Sequence, residues 1–171
     1  MRFLAVAALL AALSSSITVL AAHAEGCLDL TQDHPHDPTI AASKRKGNLF
    51  IKLNKATNLS DKDLFGSSDP FIEMWLDKNY KQRSKDTKGT NPVFNETFCF
   101  YVLPGQDKLY VKAVDWDALV NDKIGQATIP LSNVFQNGKD GPRDYNLPKW
   151  LGLSSNGVVN MQMQYQEDYS S

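Results

Sequence analysis

The chain has 171 residues, 42% hydrophobic and 22% charged, with a net charge of −1. That length fits one domain with appendages. The lack of a basic excess argues against a nucleic-acid partner and leaves local clustering to carry any charge-based function. Residues 1–24 read as a signal peptide. Arg2 gives a positive start, Phe3–Leu13 is an apolar run, and Ala22-His23-Ala24 is a small-x-small cleavage pattern. The competing reading is an uncleaved membrane anchor, since a bilayer needs about 20 apolar residues. The Ser14-Ser15-Ser16 interruption and the cleavage pattern count against it. The expected location is therefore secreted or in the secretory lumen. There Cys27 and Cys99 can form one disulfide.

Residues 25–46 are polar and Pro-interrupted, and are expected to form a tail. His34 and His36 have no third ligand nearby, so zinc is not expected there. From Gly47 the pattern is all-β. Leu49, Ile51 and Leu53 alternate with Phe50, Lys52 and Asn54, a period of two. Further strands are expected over Pro70–Leu76, Tyr80–Lys85, Glu96–Val102, Lys108–Val114 and Lys123–Ile129. A short one is expected over Asp144–Leu147, and a last one through Val159, Met161, Met163 and Tyr165. Leu131–Phe135 is the single expected helical turn. Short strands with one apolar face predict an eight-stranded antiparallel β-sandwich over residues 47–166, with 167–171 as a tail. In Phe98-Cys99-Phe100 the cysteine faces away from the two Phe, where the N-terminal tail can reach it.

The acids concentrate in two loops. One runs Asp61-Lys62-Asp63-Leu64-Phe65-Gly66-Ser67-Ser68-Asp69-Pro70, the other Asp115-Trp116-Asp117-Ala118-Leu119-Val120-Asn121-Asp122. A single loop Asp is most often a turn former. Asp63, Asp69, Asp115, Asp117 and Asp122 together are harder to explain that way, because like charges at ~4 Å repel by about 1 kcal/mol per pair even in water. A hard dication removes that cost. Calcium takes six to eight oxygens in flexible geometry, whereas magnesium demands a tighter octahedron. Five carboxylates with loop carbonyls such as those of Lys62 and Trp116 have the capacity for two calcium ions. An EF-hand is excluded, since Phe65 fills a ligand position and Ile72 stands where the closing Glu belongs.

These segments resemble the C2 domain, the lipid-binding module of synaptotagmins, protein kinase C and cytosolic phospholipase A. Gly66-Ser67-Ser68-Asp69-Pro70-Phe71 looks like its first calcium loop. Asn91-Pro92-Val93-Phe94-Asn95-Glu96-x-Phe98 looks like the motif leading into its next long strand. Asp115-Trp116-Asp117 with Asp122-x-x-Gly125 looks like its third loop, about one residue shorter than in synaptotagmin-like members. The resemblance runs from about Gly47 to Gln166 and implies a C2-like sandwich of type II, circularly permuted topology. Carried over, it makes Asp63 and Asp69 the loop-one ligands, and Asp115, Asp117 and Asp122 the loop-three ligands.

The loop tips are apolar. Leu64, Phe65, Leu119 and Val120 are placed to enter a bilayer once the acids are neutralised, or else fold back over the sandwich. Lys81, Arg83 and Lys85, with Lys78 and Lys88 beside them, form a basic patch suited to anionic lipid or to guarding a sheet edge. Two glycosylation sequons stand at Asn58 and Asn95, with Asn58 expected to be the more readily modified. The expected function is calcium-dependent binding to an anionic or neutral phospholipid surface. A protein- or glycan-interaction module with structural calcium is the alternative. An enzyme is not expected, since no nucleophile–base–orienter set is visible. Extracellular calcium modules commonly work at ~10⁻⁴–10⁻³ M, which predicts a permanently loaded clamp rather than a switch.

Overall fold

The computed structural model describes residues 41, 44–61, 68–117, 120–149 and 155–169. The chain divides into units 1–33 and 34–171, and every described residue lies in the second. Eight strands follow in chain order: β1 (Gly47–Thr57), β2 (Pro70–Asp77), β3 (Tyr80–Arg83), β4 (Val93–Val102), β5 (Lys108–Asp115), β6 (Asp122–Pro130), β7 (Lys139–Pro148) and β8 (Ser155–Glu167). One short helix, α1 (Ser132–Asn137), separates β6 from β7 and ends on Gly138 in the left-handed region, φ 72°. The strands form two four-stranded antiparallel sheets, ordered β4-β1-β8-β7 and β3-β2-β5-β6. This is the eight-stranded antiparallel sandwich expected from the alternating pattern.

The period of two explains the core. Leu49, Ile51 and Leu53 of β1 are fully buried, and so are Met161 and Met163 of β8 in the same sheet and Val111 and Ala113 of β5 in the other. Inward residues of each sheet interdigitate with those of the other, the arrangement of a sandwich interior. The expected strand spans mostly hold to within a residue or two. Three starts differ more. β4 begins at Val93 rather than Glu96, β7 at Lys139 rather than Asp144, and β8 at Ser155, four residues before Val159. Among the described residues β7 pairs only with β8, and its first six residues, Lys139 to Asp144, lie outside the core, so no apolar alternation marks its first half.

Arg45 and Glu167 flank the sandwich and are buried, 2% and 5% exposed. They form an ion pair, and Tyr165 Oη donates to Glu167 Oε1 at 3.3 Å. The Arg45 guanidinium lies 5.7 Å from the centre of the Phe135 ring, which meets Tyr165 edge-on at 4.8 Å. The ordered fold thus takes in residues on both sides of the 47–166 span.

Three tyrosines predict how the fold responds to alkali. Burial, reinforced by the hydrogen bond and charge of Asp168, pushes the Tyr101 phenol up to about 12. Burial and the Asp140 carboxylate do the same for Tyr145, also to about 12, with Arg143 opposing. Tyr165 is pushed up further still by burial and Glu167. A folded pKa above the ordinary value of about 10 means that folding favours the neutral phenol. That stability is complete below pH ~10 and is lost as pH rises through about 12. Urea midpoints measured from pH 8 to 12 should stay flat to about 10 and then fall, with tyrosinate absorbance rising together with unfolding. Absorbance rising near pH 10 while the midpoint holds would refute this.

Candidate metal and membrane-facing site

The second sheet brings the two acidic loops to one end. β2 and β5 pair with Pro70 opposite Asp115, and β5 and β6 pair with Asp115 opposite Asp122. Directly opposed residues on antiparallel strands lie about 5 Å apart between Cα atoms. The pairing depends on a bulge. Ala113 faces Gly125, but Val114 faces Lys123, so Ile124 is the extra residue. A regular ladder would set Lys123 against Asp115. The bulge sets Asp122 there instead, the re-aiming that bulges beside functional sites provide.

Asp115 is the centre of the arrangement and is fully buried. Its Oδ1 accepts the Asp69 backbone N–H at 2.8 Å, and the Asp69 carbonyl accepts the Trp116 N–H at 3.1 Å. Its Oδ2 is buried with no hydrogen-bond partner among the described residues. An orphaned buried carboxylate oxygen carries a desolvation cost of about 1–3 kcal/mol or more, which a cation would relieve. Asp117 is held in loop three by its N–H donating to Asn121 Oδ1 at 3.0 Å. Asp61, outside the expected ligand set, accepts from Ser68 Oγ at 2.8 Å and closes loop one.

Asp69, Asp115, Asp117 and Asp122 therefore share one end of the sandwich, with Asp122 exposed and Asp117 half-buried. Among the described residues no three His, Cys, Asp or Glu side chains stand close enough together to hold a metal ion. Asp63, Leu64, Phe65 and Leu119 lie outside the described residues. The motif at Asn91–Phe98 has a positional role. Asn91 Oδ1 accepts the Asn58 N–H at 3.0 Å, and the carbonyls of Thr90 and Pro92 accept from Leu59 and Ala56 at 2.9 Å. These bonds fix where β1 hands the chain to loop one.

At the same end Val120 is 73% and Trp116 45% exposed. The exposed ring of Trp116, and not only its carbonyl, thus stands at the acidic end. The available signal is an aromatic between two loop acids, with no apolar alternation to bury it. The basic patch is less free than its composition implies. Lys81 and Lys112 share Glu73, at 3.8 and 3.7 Å, and Arg83 pairs with Asp86. Arg83 also lies 3.8 Å over the Phe71 ring, and Lys81 lies 4.6 Å over Trp75. Lys85 lies beyond the end of β3, exposed, with its backbone N–H on Glu96 Oε1 at 3.1 Å. Cys99 is half-buried in β4 and is disulfide-bonded rather than free, while Cys27 lies outside the described residues. Asn58 and Asn95 both have positive φ, 54° and 52°.

The sequence model of the C2 domain matches residues 47–147. Among curated proteins, 16 kDa phloem protein 2 of Arabidopsis thaliana is 35% identical over 118 residues, covering 63% of this chain and 80% of that protein. Synaptotagmin-7 of Homo sapiens is 40% identical over 98 residues, covering 53% of this chain and 24% of the relative, so the chain spans about a quarter of that protein. A calcium-bound structure of two C2 domains of Extended-Synaptotagmin 2 superposes with a TM-score of 0.59 at 25% identity, covering 71% of this chain and 46% of that one. With more than half its length matched by the family model, the chain belongs to the C2 domain family.

Proposed function

We propose that this chain is a calcium-dependent phospholipid-binding module. The observation that carries the reading is Asp115, a fully buried carboxylate with one oxygen unpartnered, at the strand ends where Asp69, Asp117 and Asp122 also lie. These four, with Asp63 from loop one, are the side chains that would hold calcium. The ion would supply charge neutralisation and open positions for lipid oxygens. Trp116 and Val120, exposed beside the acids, support bilayer contact, because each apolar side chain fully buried contributes about 1.5–3 kcal/mol. Leu64, Phe65 and Leu119 join them in this proposal. Lys81, Arg83 and Lys85 are assigned a secondary role toward anionic lipid, weakened by Glu73 and Asp86.

Several further assignments belong to the same reading. Residues 1–24 are a cleaved signal peptide and the mature protein is secreted. Cys99 pairs with Cys27, and Asn58 is glycosylated more readily than Asn95. The topology is the permuted one, with β8 beside β1. Calcium binds weakly and keeps the site loaded in an extracellular setting.

Co-sedimentation with anionic and neutral vesicles, in calcium and in chelator, tests the function. Pelleting should require calcium, and the Trp116→Ala/Val120→Ser variant should lose most of it while still binding calcium. Absent or calcium-independent pelleting would sink the membrane reading. Calcium binding without pelleting would favour the interaction module instead.

A further inference from the structure

A cavity of about 400 Å³ opens between β6 and the ends of β7 and β8, lined by Lys123, Ile124, Gly125, Gln126, Pro148, Lys149 and Asn156. It lies at the same end of the sandwich as the acids. Lys123 follows Asp122 at the start of β6, Lys149 follows the end of β7, and Asn156 is at the start of β8. Yet its own charged lining is positive, with two lysines and no carboxylate among the lining residues.

Asn156 is 8% exposed. Its Oδ1 accepts from Ser60 Oγ at 3.0 Å, and its carbonyl accepts from the Ser60 N–H at 3.1 Å. Those two bonds anchor the residue and commit the amide oxygen, whereas Nδ2 has no hydrogen-bond partner among the described residues. A largely buried amide N–H pair facing a cavity is a donor awaiting an acceptor. Gly125 leaves the room for it. A Cβ there would meet Leu147 Cβ at 2.9 Å and Asn156 Cβ at 3.2 Å, and would stand 3.5 Å from Nδ2. Lys123 Nζ reaches Gln126 Oε1 at 3.3 Å, and Lys149 is exposed at the rim. The cavity thus offers ammonium and amide donors with no competing acid in its wall.

We propose that this pocket binds a phosphate-bearing anion, held by Lys123, Lys149 and Asn156 Nδ2. A cavity of about 400 Å³ suits a phosphoryl headgroup, at the lower end of the roughly 300–1,000 Å³ usual for ligand pockets. That the source of the phosphate is a lipid rests on the membrane reading above, because only there does this end of the sandwich meet headgroups. Phosphate recognition itself does not depend on it.

Titration of the ¹⁵N-labelled protein in chelator, followed by amide NMR, tests this. The probes are inorganic phosphate and soluble short-chain phosphatidylserine. Both should shift the Gly125 N–H and the Asn156 side-chain amide saturably. Lys123→Gln and Lys149→Gln should each weaken binding about tenfold, as loss of a charged hydrogen bond does, and the double variant should not saturate. The substituted side chains lie at the pocket wall and rim, so folding should persist, which the remaining resonances report. Tighter binding of the lipid than of phosphate assigns the pocket to headgroups, and equal binding assigns it to the phosphate alone; both uphold it. Absence of saturable shifts, or shifts indifferent to both lysines, overturns it. Vesicle pelleting without pocket shifts would remove this proposal and leave the membrane reading. Pocket shifts without pelleting would do the reverse.

Discussion

Under the proposed calcium-binding function, Asp115→Asn should abolish high-occupancy calcium binding and with it any stabilisation by the ion. The substitution keeps the shape and the Oδ1 bond to Asp69, but it removes the charge of a fully buried group and places an amide where Oδ2 stands unpartnered. A ligand carboxylate should matter more than the groups that merely orient ligands, whose loss typically costs about 10- to 100-fold in metal affinity. A loss of at least about 100-fold by calorimetry is therefore expected. If the unsubstituted protein binds calcium as proposed, the ion at about 100 times its dissociation constant should add about 2.7 kcal/mol of stability. That increment should vanish in the variant. In chelator the sign should invert: the variant should melt at or above the unsubstituted protein, because a neutral amide costs less to bury without a partner than a charged carboxylate does. Calcium affinity unchanged by Asp115→Asn would show that this carboxylate is no ligand.

Arg45→Ala should cost about 3–5 kcal/mol of stability in urea denaturation, the range for removing one partner of a buried ion pair. Arg45 and Glu167 are 2% and 5% exposed, so the abandoned Glu167 carboxylate would have little water to replace its guanidinium. Tyr165 Oη offers it one neutral donor at 3.3 Å. The variant also strips a cation from beside the Phe135 ring. The double substitution Arg45→Met/Glu167→Leu should recover most of the loss, since well-packed apolar replacements of buried pairs are often neutral or stabilising. A cost for Arg45→Ala of only about 1 kcal/mol or less, the range of exposed pairs, would mean that the pair is solvated. A double variant as damaged as the single would place the effect in packing rather than charge.

The site was legible in part. Loop acids at fixed spacing around two strand ends pointed to a cation, and the two loops do meet at one end of the second sheet. What the spacing could not show is the order among the acids. Asp61 and Asp69 look alike in the loop, yet the first closes it through Ser68 while the second carries the backbone that grips Asp115. The basic patch looked stronger in sequence than it is, because Glu73 comes within reach of Lys81 and Lys112 only once β2, β3 and β5 have paired. The pocket beside β6 touches the motifs only through Gly125, since Lys123, Lys149 and Asn156 are brought together from separate stretches of chain.

By itself the sequence determined the strands, their buried faces and the acidic loops. Each of these is local: a period of two follows from the pleat of a single strand, and turns follow from the residues within them. Tertiary structure decided whatever depends on register and on long-range neighbours. One extra residue at Ile124 sets Asp122 rather than Lys123 opposite Asp115. Arg45 finds Glu167 across 122 residues. The buried position of Asp115, with one oxygen committed to Asp69 and the other left over, exists only when both loops are in place. A residue type can announce that a carboxylate is present, but only packing removes the water that would otherwise satisfy it.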